Sequence, residues 1–117
     1  MRNVSEIPDG WVILKITNKE QIHHKVFATW VGGYLNGDAW KINSGITKLE
    51  EEGDYYYFYG NSGSCYKCRK DYYGVRTYYT KGVLDSLMDK SKEYDSEIEI
   101  MDENTSWTEL FKTELTK

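Results

Sequence analysis

The sequence predicts an α+β domain: a mostly antiparallel twisted sheet, or small open barrel, of about five to six strands, with one main helix and a short C-terminal helix. Three observations predict it. Apolar runs rich in β-branched and aromatic residues occupy most of residues 10–69. Clusters of Gly, Asn, Ser and Asp punctuate those runs. Helical periodicity appears only after them, and strands followed by a helix is the order of an antiparallel sheet with its helix on one side.

Each element follows in turn. Residues 11–17 form a strongly apolar run, and residues 25–31 form a second that Gly32-Gly33 stops. Residues 38–43 set Trp40 and Ile42 on one face and Lys41 and Asn43 on the other. Residues 46–50 make a shorter strand, and Glu51-Glu52-Gly53-Asp54 turns the chain. The clearest hairpin spans residues 55–69 around Gly60-Asn61-Ser62-Gly63. A four-residue loop there opposes Tyr57 to Tyr66 and Tyr55 to Cys68, directing that face inward and Lys67 and Arg69 outward. A one-residue slip would reverse the faces. A helix is expected over residues 77–90, its apolar face formed by Val75, Tyr79, Val83, Leu87 and Met88. Residues 96–101 alternate like a closing edge strand, with Ile98 and Ile100 on one side. Ser106-Trp107-Thr108-Glu109 matches a capping box for a short helix bearing Trp107, Leu110 and Phe111.

The 117 residues make one domain, 39% hydrophobic and 15% aromatic, with residues 1–9 as an N-terminal arm and 112–117 as a frayed tail. A net charge of −4, from 15 Lys plus Arg against 19 Asp plus Glu, argues against general nucleic-acid binding, which needs a basic surface. No stretch approaches the roughly 18 apolar residues of a membrane span. Residues 1–9 lack the apolar run of a secretory signal, so a cytoplasmic location is expected.

Chemistry is sparse. The Cys65-Tyr66-Lys67-Cys68 spacing invites zinc or redox chemistry, but zinc needs two further ligands and the only histidines, His23 and His24, are adjacent. Residues three apart on a strand point to opposite faces, which disfavours a disulfide and leaves two ordinary reduced thiols. No phosphate-binding Walker loop, dinucleotide fingerprint or Gly-x-Ser-x-Gly elbow is present. His23 and His24 read as an exposed pair, and Glu50-Glu51-Glu52 with Asp54 reads as a solvated corner. No catalytic residue, metal or cofactor is expected; the protein is expected to bind rather than to catalyse.

The segment least like plain scaffolding is residues 30–45, which interleaves aromatics, glycines and small polar side chains. Trp30, Tyr34 and Trp40 offer stacking faces, while Lys41, Asn43 and Ser44 supply donors for phosphate or ribose. Ser62 and Ser64, in the second polar turn, join these as candidate ligand-binding residues. A plainer reading stays open: a wide hairpin with Trp30 and Trp40 as core anchors and glycines serving only the turns.

Gly10-Trp-Val-Ile-Leu-Lys-Ile-Thr17, Lys25-Val-Phe-Ala-Thr-Trp-Val-Gly-Gly-Tyr34, Asp38-Ala-Trp-Lys-Ile-Asn-Ser-Gly-Ile-Thr47 and Tyr59-Gly-Asn-Ser-Gly-Ser-Cys-Tyr66 together resemble small accessory proteins of tailed, T-even-type phages. The resemblance covers a little over half of the chain and stops at about Cys68; it carries no catalytic residues. It implies a product acting in the host cytoplasm, with counter-defence by binding as its expected role. One expectation is sequestration of a nucleotide-derived signal, in a pocket of the kind that forms readily between copies of a homo-oligomer. The alternative is inhibition of a host or defence protein through a tyrosine-rich acidic surface.

Overall fold

Tracing the chain through a computed structural model that describes residues 3–33, 37–75 and 77–111 gives seven strands and two α-helices. Strand β1 (Gly10–Asn18) turns through Lys19 and Glu20, with Lys19 at φ +58°, into β2 (Gln21–Gly33). β3 (Gly37–Ile42), β4 (Ile46–Glu52), β5 (Tyr55–Gly60) and β6 (Cys65–Arg69) follow. Helix α1 (Tyr78–Ser91), strand β7 (Ser96–Ile100) and the short helix α2 (Trp107–Leu110) complete the described chain.

The strands are antiparallel, as the sequence predicts, but they divide into two sheets, ordered β3-β2-β1-β7 and β4-β5-β6. The division occurs at Gly45, whose φ of +128° is a conformation L side chains rarely adopt. There the chain leaves the first sheet, so β4 pairs with β5 rather than with β3.

Layering follows from β1. Trp11, Val12, Ile13 and Leu14 are all buried, so both faces of this strand need a cover. Trp11 and Ile13 face the second sheet, packing with Val26, Ala28, Leu49, Phe58 and Cys68. Val12 and Leu14 face the helix, packing with Phe27 and Leu84. The result is helix on sheet on sheet. Trp107 and Phe111 of the C-terminal segment also pack into the inter-sheet core. Ser106 occupies the N-cap position of α2 without a side-chain capping bond, so burial of Trp107 and Phe111 holds that short helix in place of the expected capping box.

Two expectations are corrected. Gly60 and Ser64 close the β5–β6 loop, with the Gly60 N–H on the Ser64 carbonyl at 2.9 Å, leaving three loop residues and Gly63 at φ +92°. The loop is one residue shorter than expected, so the register slips by one and the faces exchange. Phe58 now opposes Tyr66, and Tyr56 opposes Cys68, in the core. Tyr55 and Tyr57 instead join Lys67 and Arg69 on the opposite face, where Tyr57 is still buried at 7% exposure and Lys67 Nζ lies 4.4 Å from the Tyr55 ring centroid. In α1, the buried residues are Thr80 and Leu84, with Val83, Leu87 and Met88 packed beside them, while Tyr79 is 56% exposed. Thr80 tolerates burial because its hydroxyl bonds back to the Thr77 carbonyl at 3.2 Å. Thr77 itself caps the helix by accepting the Thr80 N–H.

The N-terminal arm ties the two sheets together. Its Asp9 N–H donates to the Thr29 carbonyl of the first sheet. Ser5 N–H and Glu6 N–H donate to Cys65, and Lys67 N–H donates to Glu6, on the edge of the second. Residues 112–117, expected to fray, lie outside the described residues.

Candidate functional site

The two polar turns singled out in the sequence meet in space. Ser62 N–H donates to Ser44 Oγ at 3.1 Å, the Ser44 hydroxyl donates to Ser62 Oγ at 3.0 Å, and Asn61 N–H donates to the Gly45 carbonyl at 3.1 Å. The β3–β4 and β5–β6 loops thus form one wall joining the ends of the two sheets.

On one side of that wall lies a cleft of about 410 Å³, lined by Lys41, Asn43, Ser44, Ser62 and Ser64 together with Ser5, Glu6, Ile42 and Tyr66. Its volume falls in the range of small-ligand sites. The other predicted site residues are elsewhere. Trp30 and Trp40 occupy opposite faces of the first sheet, because Thr29 opposes Trp40 while Trp30 opposes Ala39. Trp40 stacks on Phe27 at 5.7 Å with rings 22° apart. Trp30 Nε1–H donates to the Ile7 carbonyl at 3.0 Å and so anchors the arm that carries Glu6. Tyr34 lies outside the described residues.

Asn43 sits where β3 ends. Its side chain is 3% exposed, and its Oδ1 accepts the Val26 N–H at 2.9 Å, which decides which way the amide points. Asn43 Nδ2 and Ser64 Oγ are buried without a hydrogen-bond partner. A buried donor left unmet costs about 1–3 kcal/mol, so this pair calls for a bound water or a ligand oxygen. Gly60 lies beneath them: a Cβ there would stand 2.6 Å from Ser44 Oγ, 2.8 Å from Ser64 Oγ and 3.5 Å from Asn43 Nδ2. The missing side chain at residue 60 is what lets the three polar atoms converge.

At the mouth, Lys41 Nζ pairs with Glu6 Oε2 at 2.5 Å. The hydrogen bond to Glu6, then its charge, raises the Lys41 pKa, so the ammonium stays charged. Burial and the neighbouring Glu6 raise the Tyr66 phenol too, against the opposing pull of Lys41. Ser5, Glu6 and Tyr66 escaped the sequence reading. No local pattern links an arm residue to one 35 positions away, as the Glu6–Lys41 contact requires.

On the far side of the wall a second hollow of about 270 Å³ is lined by His23, His24, Gly45, Asn61 and Phe111 among others. His24, expected to be exposed, is half-buried and meets Phe111 edge-on at 5.5 Å. Burial first, then Lys15 and His23, lowers its pKa. The loops therefore separate the histidines from the serines. Among the described residues, no group of three or more His, Cys, Asp or Glu is placed to hold a metal. No described helix is long and apolar enough to cross a membrane. Compared with protein-family models, curated proteins and solved structures, the chain gives no significant match.

Proposed function

We propose that this protein is a non-enzymatic binding protein that sequesters a nucleotide-derived small molecule in the cleft beside the joined β3–β4 and β5–β6 loops. The observation that carries the reading is the convergence of Lys41 from β3 with Asn43, Ser44, Ser62 and Ser64 from two separate turns on a single cleft of about 410 Å³. A ligand of one or two ring systems fits that volume, and an ammonium, an amide and three hydroxyls match its polar edges. Among the described residues no histidine lines the cleft beside its serines, and the Lys41 ammonium is paired with Glu6 rather than with a serine hydroxyl. The resemblance to phage accessory proteins supplies the setting: the cytoplasm of an infected bacterium, where removal of a signalling nucleotide blunts defence.

Isothermal titration against cyclic and linear nucleotides and the matching nucleosides tests this. Saturable binding that is lost in Ser62→Tyr, which fills the cleft from its exposed rim, is the expected result. Silence across the panel rejects sequestration. A second reading, inhibition of a protein partner, draws on a tyrosine at the start of α1 and another in the 3-10 turn that follows it. Tyr78 is 96% exposed and Tyr94 is 73% exposed, and exposed tyrosines are frequent anchors of protein interfaces. Under that reading Tyr78→Ala abolishes capture of one specific host protein, whereas Ser62→Tyr leaves it intact.

A further inference from the structure

We infer that the Asn43–Ser64 end of the cleft is an oxyanion subsite, and that the Glu6 carboxylate is its built-in competitor for Lys41. The inference rests on the sequestration reading and specifies which part of the ligand is recognised: a phosphoryl group.

The hydrogen inventory carries it. Asn43 Oδ1 is committed to Val26, which leaves both N–H bonds of Nδ2 without an acceptor. The Ser64 hydroxyl is likewise unpartnered. Ser62 Oγ accepts from Ser44, so its own hydrogen remains to be donated. Lys41 brings an ammonium with three donors, of which Glu6 engages one. Two of these groups, Asn43 Nδ2 and Lys41 Nζ, can only donate, the serine hydroxyls can donate or accept, and the strongest acceptor, Glu6, is already engaged by Lys41. A phosphoryl group, with three strong acceptor oxygens and a negative charge, complements such a surface; a neutral ring or a diol does not.

Glu6 occupies the place an incoming anion needs. Its carboxylate sits on Lys41 at the rim, on an arm held at Ser5 and Glu6 by backbone bonds to Cys65 and Lys67. The Lys41 side chain is 58% exposed, and solvent-exposed pairs are weakly held. Asn43 Nδ2 and Ser64 Oγ are closed off from solvent, so a ligand reaches them only as the lining they share with Lys41 and Glu6 opens. The phosphoryl group then replaces the carboxylate on Lys41 and meets the two buried donors.

The test is an amide-detected NMR titration of the full chain with inorganic phosphate at constant ionic strength. The expected result is a saturable shift of the Asn43 side-chain amide and of the Ser62 and Ser64 backbone amides. Glu6→Gln should tighten phosphate binding several-fold by removing the competitor, and Ser64→Ala should weaken it three- to tenfold with no loss of thermal stability. A merely structural arm predicts the opposite sign for Glu6→Gln. An Asn43 amide that does not move, or shifts that track ionic strength alone, overturns the subsite. Phosphate binding that Glu6→Gln leaves unchanged or weakens overturns the competitor. Sequestration fails separately: it survives a silent Asn43 if any nucleoside in the calorimetric panel binds the cleft, and falls if none of the nucleosides or nucleotides does.

Discussion

Asn43 and Val26 hold each other reciprocally: the Asn43 side-chain oxygen accepts the Val26 N–H at 2.9 Å, and the Asn43 N–H donates to the Val26 carbonyl at 3.1 Å. One residue thus ends the β2–β3 pairing and points a buried amide at the cleft. Two residues later the chain crosses to the second sheet at Gly45. The place where the fold changes layer is also where the candidate site is built.

Gly60→Ala tests the convergence beneath the cleft. The added methyl lands 2.6 Å from Ser44 Oγ and 2.8 Å from Ser64 Oγ, closer than real carbon contacts allow. A loss of about 1–3 kcal/mol in urea unfolding is expected, as for other overpacked sites. Adding Ser64→Ala removes one of the two clashing oxygens and should recover part of that loss. Full stability in the single variant would mean that the loops separate freely.

Trp40→Ala separates scaffold from site. Trp40 stacks on Phe27 on the helix-facing side of the sheet and is 37% exposed. Truncation should cost roughly 1–2 kcal/mol, less than the ~3–5 kcal/mol of a fully buried aromatic. Ligand affinity measured by calorimetry should stay within about twofold of the parent, because Trp40 does not line the cleft. A loss of binding without a loss of stability would return Trp40 to the site.

Cys65 and Cys68 lie on opposite faces of β6, are buried, and are not bonded to each other. Burial, with Cys65 adding to it, pushes the Cys68 thiol well above its ordinary value, so little thiolate forms near neutral pH. Maleimide labelling followed by intact mass should give no adduct on the folded protein and two in denaturant. Rapid labelling of Cys68 in the folded state would contradict its place in the inter-sheet core.

Tyr73 should make the fold sensitive to alkali. Its hydroxyl donates to the Met101 carbonyl at 2.6 Å and accepts the Ile13 N–H at 3.2 Å, joining both sides of β1's surroundings. Burial pushes its pKa up to about 12, against the lowering effect of the Ile13 N–H, with Asp102 and Glu103 adding to the rise. An unfolded tyrosine ionises near 10, so the unfolded chain loses its proton first. Stability from this group is therefore intact below about pH 10 and is lost as the pH rises towards about 12. Denaturation midpoints between about pH 9 and pH 11.5 should fall more steeply for the parent than for Tyr73→Phe. Equal slopes would remove Tyr73 from the alkaline transition.

Much of the architecture was legible because it rests on local periodicity. The apolar runs at Trp11–Leu14 and Val26–Thr29, the helix beginning after Thr77 and the edge strand bearing Ile98 each state their own conformation. The polar character of Asn43-Ser44-Gly45 and Asn61-Ser62-Gly63-Ser64 marked the wall of the cleft for the same reason: turns need such residues, and so do binding surfaces. What periodicity does not encode is register and partner. The face reversal at Tyr55 and Tyr57 turned on a single loop residue, because side chains alternate with a period of two. The separation of Trp30 from Trp40 follows from their places across β2 and β3, and the meeting of Ser44 with Ser62 from a chain reversal at Gly45. Glu6 reached Lys41 only because the arm bridges the two sheets. The sequence by itself determined which segments are strand, turn and helix, since those preferences act between near neighbours. The tertiary structure decided which polar groups share a cleft, since that depends on packing both faces of β1 at once.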